Sequence, residues 1–276
     1  MRALTATGLC AWALVQASIA CAQSGDTGFA SYAFASETGS GVYQIDGRII
    51  QVYTLPFYYR LRNAEPRGGR PGIKLLLPVT FGLFDFVPSE LVHGEIPTHF
   101  DSLSFEPGIQ LDWWINDAWH LLPYVKAGAA WASSTEVNAI IYGTGLRSEY
   151  RFSTFERASL WEAELVYAGV HYHDSDLPND SFTRLRNGLE LWQNLWWSLG
   201  ERRTQVAPYA MLDIYFNAPS GPQSGISART AQFETGLVFG VNPMWRMWGF
   251  DLPRLGIGYR FAGVVSGWRL VIGDPF

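Results

Sequence analysis

The sequence has 276 residues, of which 48% are hydrophobic, 15% aromatic and 16% charged, and this composition excludes a disordered, collagen-like or coiled-coil chain. Its formal net charge is −5, and only two of its 20 basic residues are lysines. The basic residues form no cluster, whereas the phosphates of nucleic acid require a concentrated positive surface. Nucleic acid is therefore not an expected partner.

The first 22 residues have the features of a secretory signal peptide. Arg2 precedes an uncharged stretch, and Ala20-Cys21-Ala22 has the small-x-small form that signal peptidase accepts. The sequence therefore predicts a removed signal over residues 1–22 and one domain over 23–276.

The two cysteines, Cys10 and Cys21, both lie in the predicted signal. A processed domain without thiols depends on burial, on closure of a sheet or on a membrane for its stability, because no disulfide can form. In an alternative interpretation Cys21 carries the lipid of a lipoprotein, although Ser18 stands where a larger aliphatic residue is usual.

Beyond residue 22 the chain has no uninterrupted apolar run of the roughly 18 residues that a membrane-spanning helix needs. Its segments instead alternate apolar and polar residues with period two. A clear pair is 103–115 and 119–131, which flank Asn116-Asp117 and together predict a hairpin.

This alternation predicts an all-β fold, a transmembrane antiparallel up-and-down β-barrel of about twelve strands. Glycine, proline, asparagine and aspartate separate the segments, and Gly143-Thr144-Gly145 is the point at which one strand could be split in two. The predicted strands are 28–36, 49–62, 72–86, 99–115, 118–132, 136–154, 160–173, 182–197, 204–217, 229–241, 253–262 and 265–273.

The two faces of these strands differ in more than polarity. One face carries large Leu, Ile, Val, Phe and Trp side chains that would overfill a small core, and the other carries Gly, Ser and single charges. A soluble sandwich would also alternate, but this bulk favours a lipid-facing exterior and a polar lumen.

Seven basic and seven acidic residues occupy the polar face. Since these charges can pair across the interior, we expect a narrow or partly plugged lumen. The alternative is that they only maintain the shape of the barrel. The predicted lumen charges are Lys74, Glu106, Asp112, Lys126, Glu162, Glu164, Arg184, Arg186, Glu190, Asp213, Glu234, Arg254, Arg260 and Arg269.

The strand order also predicts where the connections lie. Outward connections are expected to begin near Glu37, Val87, Asp174 and Ala218. Periplasmic connections are expected near Asn63, Asn116, Ser198 and Asn242. Tryptophans expected at the periplasmic interface are Trp113, Trp114, Trp119, Trp161, Trp196, Trp197, Trp245 and Trp248. Trp131 and Trp268 are expected at the outer interface, and Trp192 fits neither.

The last strand predicts a C-terminal assembly signal. Four residues of one parity form it: Trp268, Leu270, Ile272 and Phe276. They resemble the terminal strand that the barrel-assembly machinery of the outer membrane recognises, although Asp274 and Pro275 depart from the usual pattern. The expected partners are therefore this machinery and outer-membrane lipid.

Three segments carry a resemblance to a known family. They are GIKLLLPVTFGLFDFV at 72–87, SFEPGIQLDWWINDAWHLLPYVKAGAAW at 104–131 and GWRLVIGDPF at 267–276. The chain resembles the solitary outer-membrane autotransporter-like β-barrel family over nearly all of 23–276. This resemblance implies a twelve-stranded barrel without an attached passenger domain, and it supplies no catalytic residues.

Three classes of function follow from this prediction. The first is a porin-like or transport protein of the bacterial outer membrane, with an unidentified solute. The second is a structural or interaction barrel, whose outer loop 218–228 binds a partner. Ligand binding that is lost when this loop is deleted would distinguish the second class from a pore.

The third class is a lipid-modifying enzyme of the membrane, which would need a histidine beside a serine or carboxylate. His171 and His173 precede Asp174, and His93 and His99 fall in a predicted outer loop, but none has a convincing partner. We expect no enzymatic activity, no cofactor and no bound metal.

Overall fold

A computed structural model describes residues 37, 39–45, 48–65, 69–84, 102–132, 138–154, 157–173, 179–217, 231–242, 246–247, 250–251, 254–261 and 266–276. Within these ranges, twelve antiparallel strands follow one another around a sheet that closes on itself. The predicted all-β, up-and-down barrel is confirmed. No helix in the described part of the chain has the length and apolarity to span a membrane.

The strands are numbered β1 to β12 in chain order, and β4 and β8 are each interrupted once. Their bounds are β1 Gly41–Ile45, β2 Arg48–Arg62, β3 Gly72–Phe84, β4 Ser102–Phe105 with Gly108–Trp114, β5 Trp119–Ala132, β6 Asn138–Thr154, β7 Arg157–His173, β8 Asp180–Leu191 with Gln193–Leu199, β9 Arg202–Asn217, β10 Ala231–Asn242, β11 Leu255–Phe261 and β12 Ser266–Ile272. Two short segments, Arg246–Met247 and Phe250–Asp251, pair between β10 and β11.

The barrel closes where β1 pairs with β12, through a ladder that runs from Gly41 opposite Arg269 to Gln44 opposite Ser266. This seam has four residue pairs, whereas β6 and β7 share seventeen. Among the described strands it is the shortest ladder between barrel neighbours. Closure of the sheet therefore depends on few backbone hydrogen bonds and on contacts between side chains near the seam.

Two details of the predicted strand order differ from the structure. The first described strand is Gly41–Ile45, which the alternation did not single out, and the predicted strand 28–36 lies outside the described residues. The prediction of an outward connection near Glu37 is wrong, because Glu37 contacts lumen side chains of β5 and β8. The predicted strand 136–154 is not split at Gly143-Thr144-Gly145, because its described residues form one continuous element, β6 (Asn138–Thr154).

The exterior of the barrel is a band of exposed apolar side chains. Ile109, Val125 and Leu165 lie on three different strands and are 49%, 58% and 49% exposed, while their sequence neighbours of opposite parity face the interior. Such a continuous apolar surface is unfavourable in water and suits contact with hydrocarbon. The apolar face of the strands therefore points outward, as the sequence predicted.

The interior holds two apolar clusters. One, which includes Ile141, Val166 and Phe182, lies near one end, and a second, which includes Met211 and Val238, lies toward the other. Buried charged side chains lie between and beside these clusters. We call the end with the short connections, such as 200–201, the turn end, and the opposite one the loop end.

Candidate functional site

The centre of the lumen is built around Asp213 on β9. Arg186 on β8 donates two hydrogen bonds to it, from Nε to Oδ1 at 2.7 Å and from Nη2 to Oδ2 at 3.0 Å. Arg184 and Arg260 approach the same carboxylate at 4.0 and 3.8 Å. One carboxylate thus lies among three guanidinium groups from two different strands.

A second centre forms around Glu234 on β10. Arg260 on β11 donates from Nε to Oε2 at 2.8 Å, and Arg269 on β12 donates from Nη1 to Oε1 at 2.9 Å. The hydroxyl of Tyr209 donates to Oε1 at 2.7 Å. These bonds join four neighbouring strands, β9 to β12, and reinforce the wall next to the short closing seam.

Glu164 on β7 links this cluster to the opposite wall. It accepts hydrogen bonds from Arg184 at 3.0 Å, from Arg147 at 3.1 Å and from the Tyr124 hydroxyl at 3.1 Å. Glu162, two residues earlier on the same face, pairs with Arg147 at 3.2 Å. The ring of Tyr124 lies against Gly145, where any β-carbon would overlap it.

Glu37, which precedes the first strand, reaches into this network. It forms an ion pair with Lys126 on β5, and its backbone carbonyl accepts a hydrogen bond from Arg184 Nη1 at 2.8 Å. Lys126 also pairs with Glu106 at 3.0 Å. Glu37, which lies outside the sheet, is therefore bound by side chains of two different strands, β5 and β8.

The remaining predicted charges lie toward the turn end. Glu190 pairs with Arg254 at 3.2 Å, and Asp112 lies 3.2 Å from Nδ1 of His120. The Lys74 ammonium lies 5.7 Å from the centre of the Tyr58 ring. The structure thus places the fourteen predicted charges in one connected group around Asp213, Glu234, Glu164 and Lys126 and in two smaller groups at the turn end.

The charged side chains of the network are buried, and this burial determines their effect on the barrel. Glu164, Arg184, Asp213, Glu234 and Arg260 are each no more than 2% exposed. Buried charges are tolerated only when they are paired and hydrogen-bonded, and removal of one partner leaves the other uncompensated. The network therefore joins side chains from different walls of the lumen through buried ion pairs.

Four contributors to the network were not predicted: Glu37, Arg147, Tyr124 and Tyr209. Arg147 could have been found, because it shares the parity of Gly143 and Gly145 on β6, opposite to Tyr142 and Leu146. The two tyrosines share the parity of predicted lumen charges on their strands, but they carry no charge that would have singled them out. Their hydroxyl hydrogen bonds depend on charges that are far away in sequence.

The predicted C-terminal signal does not lie on one face. Trp268 and Leu270 are exposed on the exterior and Ile272 is half-buried, but Phe276 is buried inside the lumen. The shared face predicted for Phe276 is wrong. The physical reason is Gly273, whose φ of +99° belongs to the left-handed region and turns the chain inward.

Trp192 also lies inside, with its ring 4.7 Å from the Arg254 guanidinium carbon, which explains why it fitted neither interface. The tryptophans Trp113, Trp119, Trp161 and Trp197 are exposed at the turn end. Of the other predicted positions, 1–22, 218–228, His93, His99, Trp245 and Trp248 lie outside the described residues.

Of the histidines considered for enzymatic chemistry, the two that the structure describes lie on the exterior. His171 and His173 are exposed on β7, with ring centres 6.4 Å apart. No group of three metal-ligating side chains occurs among the residues that the structure describes.

The chain was compared with family models, curated proteins and solved structures, and a solved structure agrees with this architecture. No family model and no curated protein matches the chain. Among solved structures, it is similar to the β-domain of the Bordetella autotransporter BrkA, with 14% sequence identity and a TM-score of 0.50. The likeness covers 84% of this chain and 93% of that one.

At this identity the likeness concerns the fold alone. Together with the closed twelve-stranded sheet, it shows that the described chain has the fold of an autotransporter-like β-barrel, as the resemblance predicted.

Proposed function

We propose that the chain is an outer-membrane barrel of the autotransporter-like, transport type whose resting lumen is closed by its own charge network. The observation that carries this proposal is the position of Glu37. It precedes β1, yet Lys126 and Arg184 hold it inside the barrel. Glu37 therefore lies in the lumen and is bound there by ion pairs.

The network is suited to closing a lumen because it crosses it. Arg184 on β8 bonds both to Glu164 of a neighbouring strand and to Glu37. Ionic networks of this kind combine strong charge-assisted hydrogen bonds with a fixed geometry. Removing its arginines should therefore loosen both the plug and the binding of Glu37.

Location and partners belong to the same proposal. The apolar exterior band supports insertion in lipid, and the predicted signal over 1–22 supports export. In the proposal the barrel resides in the bacterial outer membrane, contacts its lipid directly and is inserted there by the barrel-assembly machinery.

The test is single-channel recording of refolded protein in a planar bilayer. We expect the unchanged chain to be nearly silent and the double variant Arg184→Ala, Arg186→Ala to show stepwise, salt-dependent conductance. The matched control is Arg151→Ala, Arg157→Ala, which removes two exposed arginines at the turn end and should stay silent.

Folding of each variant is verified by its shift in electrophoretic mobility on heating. A wide, stable conductance of the unchanged barrel would contradict the plug. Silence of the folded Arg184→Ala, Arg186→Ala variant would contradict the assignment of the plug to these arginines.

The proposed function includes no enzymatic activity. Refolded protein incubated with labelled phospholipid should release no more product than a detergent blank, because the exposed His171 and His173 have no ion-pair partner among the described contacts. Hydrolysis above the blank that disappears in His171→Ala would contradict this expectation and favour a lipid-modifying enzyme.

A further inference from the structure

The segment Gly273–Phe276 folds back into the lumen at the turn end of the barrel. Strand β12 ends at Ile272, opposite Leu255, and the amide of Gly273 donates one more bond to the Arg254 carbonyl at 2.8 Å. The ladder then stops, and the positive φ of Gly273 directs the following residues inward. We call Gly273–Phe276 the tail.

Two arginines bind the tail through polar contacts. Arg269 Nη1 donates to the Pro275 carbonyl at 2.6 Å, and the same nitrogen donates to Glu234. Arg254 forms ion pairs with Asp274 and with buried Glu190. Both arginines are therefore shared between the tail and carboxylates of the wall.

The Phe276 ring completes the apolar cluster at this end, which consists of Tyr209, Met211, Val238, Val271 and Phe276 with Trp192 packed against it. Phe276 and Tyr209 meet edge to face, with centres 6.1 Å apart and planes at 89°. On its other side the ring lies against Gly188, where a β-carbon would overlap it. Gly188 thus shapes a pocket that admits an aromatic side chain.

From these contacts we propose that the tail is a lumenal latch, which closes the turn-end mouth of the barrel by seating Phe276 in the pocket beside Gly188. Gly188 lies two residues nearer the turn end than Arg186, so the latch forms a second barrier beside the charge network. The latch is coupled to the charge network because Arg269 and Tyr209, which contact the tail, also donate hydrogen bonds to Glu234.

Latching also reinforces the closing strand. Strand β12 shares only four residue pairs with β1, and the tail adds contacts from its end to β8, β9 and the residue before β11. Release of Phe276 is therefore expected to open the mouth and to loosen the end of β12, while the opposite end of the barrel stays closed.

The test measures access to the space beneath the ring. In the full chain with Cys10→Ala and Cys21→Ala, a single Met211→Cys reports this space, because Met211 is almost fully buried in the turn-end cluster. Reaction with a water-soluble maleimide should be slow in the refolded barrel. Phe276→Ala should accelerate it at least tenfold, and so should Gly188→Ala, which leaves the tail sequence intact.

Two controls separate unlatching from general loosening. Gly143→Ala changes another lumen glycine, which faces the flexible Lys126 side chain instead of the tail, and should leave the Met211→Cys rate unchanged. A Val170→Cys reporter, buried in the loop-end cluster, should stay slow in every variant.

The latch is supported if Phe276→Ala and Gly188→Ala each accelerate labelling at position 211, and not at position 170, in barrels that keep their heat-dependent shift in electrophoretic mobility. It is overturned if folded Phe276→Ala labels at the rate of the unchanged tail, or if Gly143→Ala or the 170 reporter accelerates equally. Since no conductance is measured, the result is independent of the proposed transport function.

Discussion

Replacing Glu234 with alanine should destabilise the folded barrel by about 3–5 kcal/mol, the range for breaking a buried ion pair. The change leaves the buried guanidinium groups of Arg260 and Arg269 without their closest carboxylate and removes the acceptor of the Tyr209 hydroxyl. The measurement is denaturant unfolding of the protein in lipid vesicles, followed by tryptophan fluorescence.

A matched control for this prediction is Arg151→Ala, which removes a surface ion pair. The Arg151 side chain is 58% exposed and lies 3.8 Å from Glu149, so its loss should change the unfolding free energy by no more than about 1 kcal/mol. Equal effects of the two substitutions would show that the lumen network contributes little to stability.

Arginine at position 165 should destabilise the barrel by about 2–4 kcal/mol in a bilayer, because a charge on the lipid-facing side near the midplane loses its hydration. Leu165 lies at the middle of β7 and is exposed on the exterior. The measurement is again unfolding in lipid vesicles, compared between Leu165→Arg and the unchanged chain.

The control is the same substitution at a position expected to lie near the membrane surface. Leu199 is exposed at the turn end, as the last residue of β8, where arginine is expected to cost only about 0–1 kcal/mol. If Leu165→Arg and Leu199→Arg were equally mild, the exterior band would not face hydrocarbon, and the membrane-spanning interpretation would fail.

Period-two alternation determined most of the fold. In a strand, successive side chains point to opposite faces, so the parity of large apolar residues such as Ile109 and Leu189 predicts the exterior without knowledge of any partner strand. The same parity placed Glu164, Arg184 and Asp213 on the interior side, where the structure finds them buried. The turn residues between the segments predicted eleven of the twelve described barrel strands, and Gly41–Ile45 was missed.

The pairing of the charges required the closed sheet. Arg186 bonds Asp213 and Arg260 bonds Glu234 across 27 and 26 positions of sequence, and parity cannot say which guanidinium meets which carboxylate. Registers between neighbouring strands fix these pairs. For the same reason the hydroxyls of Tyr124 and Tyr209 could not be predicted as members of the network.

The sequence by itself determined the class of fold, the apolar exterior and most of the inward charges, because these depend on local alternation alone. Only the tertiary structure decided where the chain leaves the wall. Glu37 and Phe276 both enter the lumen, one before the first ladder begins and the other after the last ladder ends. Beyond a ladder no register constrains the backbone, so its course is set by the charges and the pocket that the closed barrel offers.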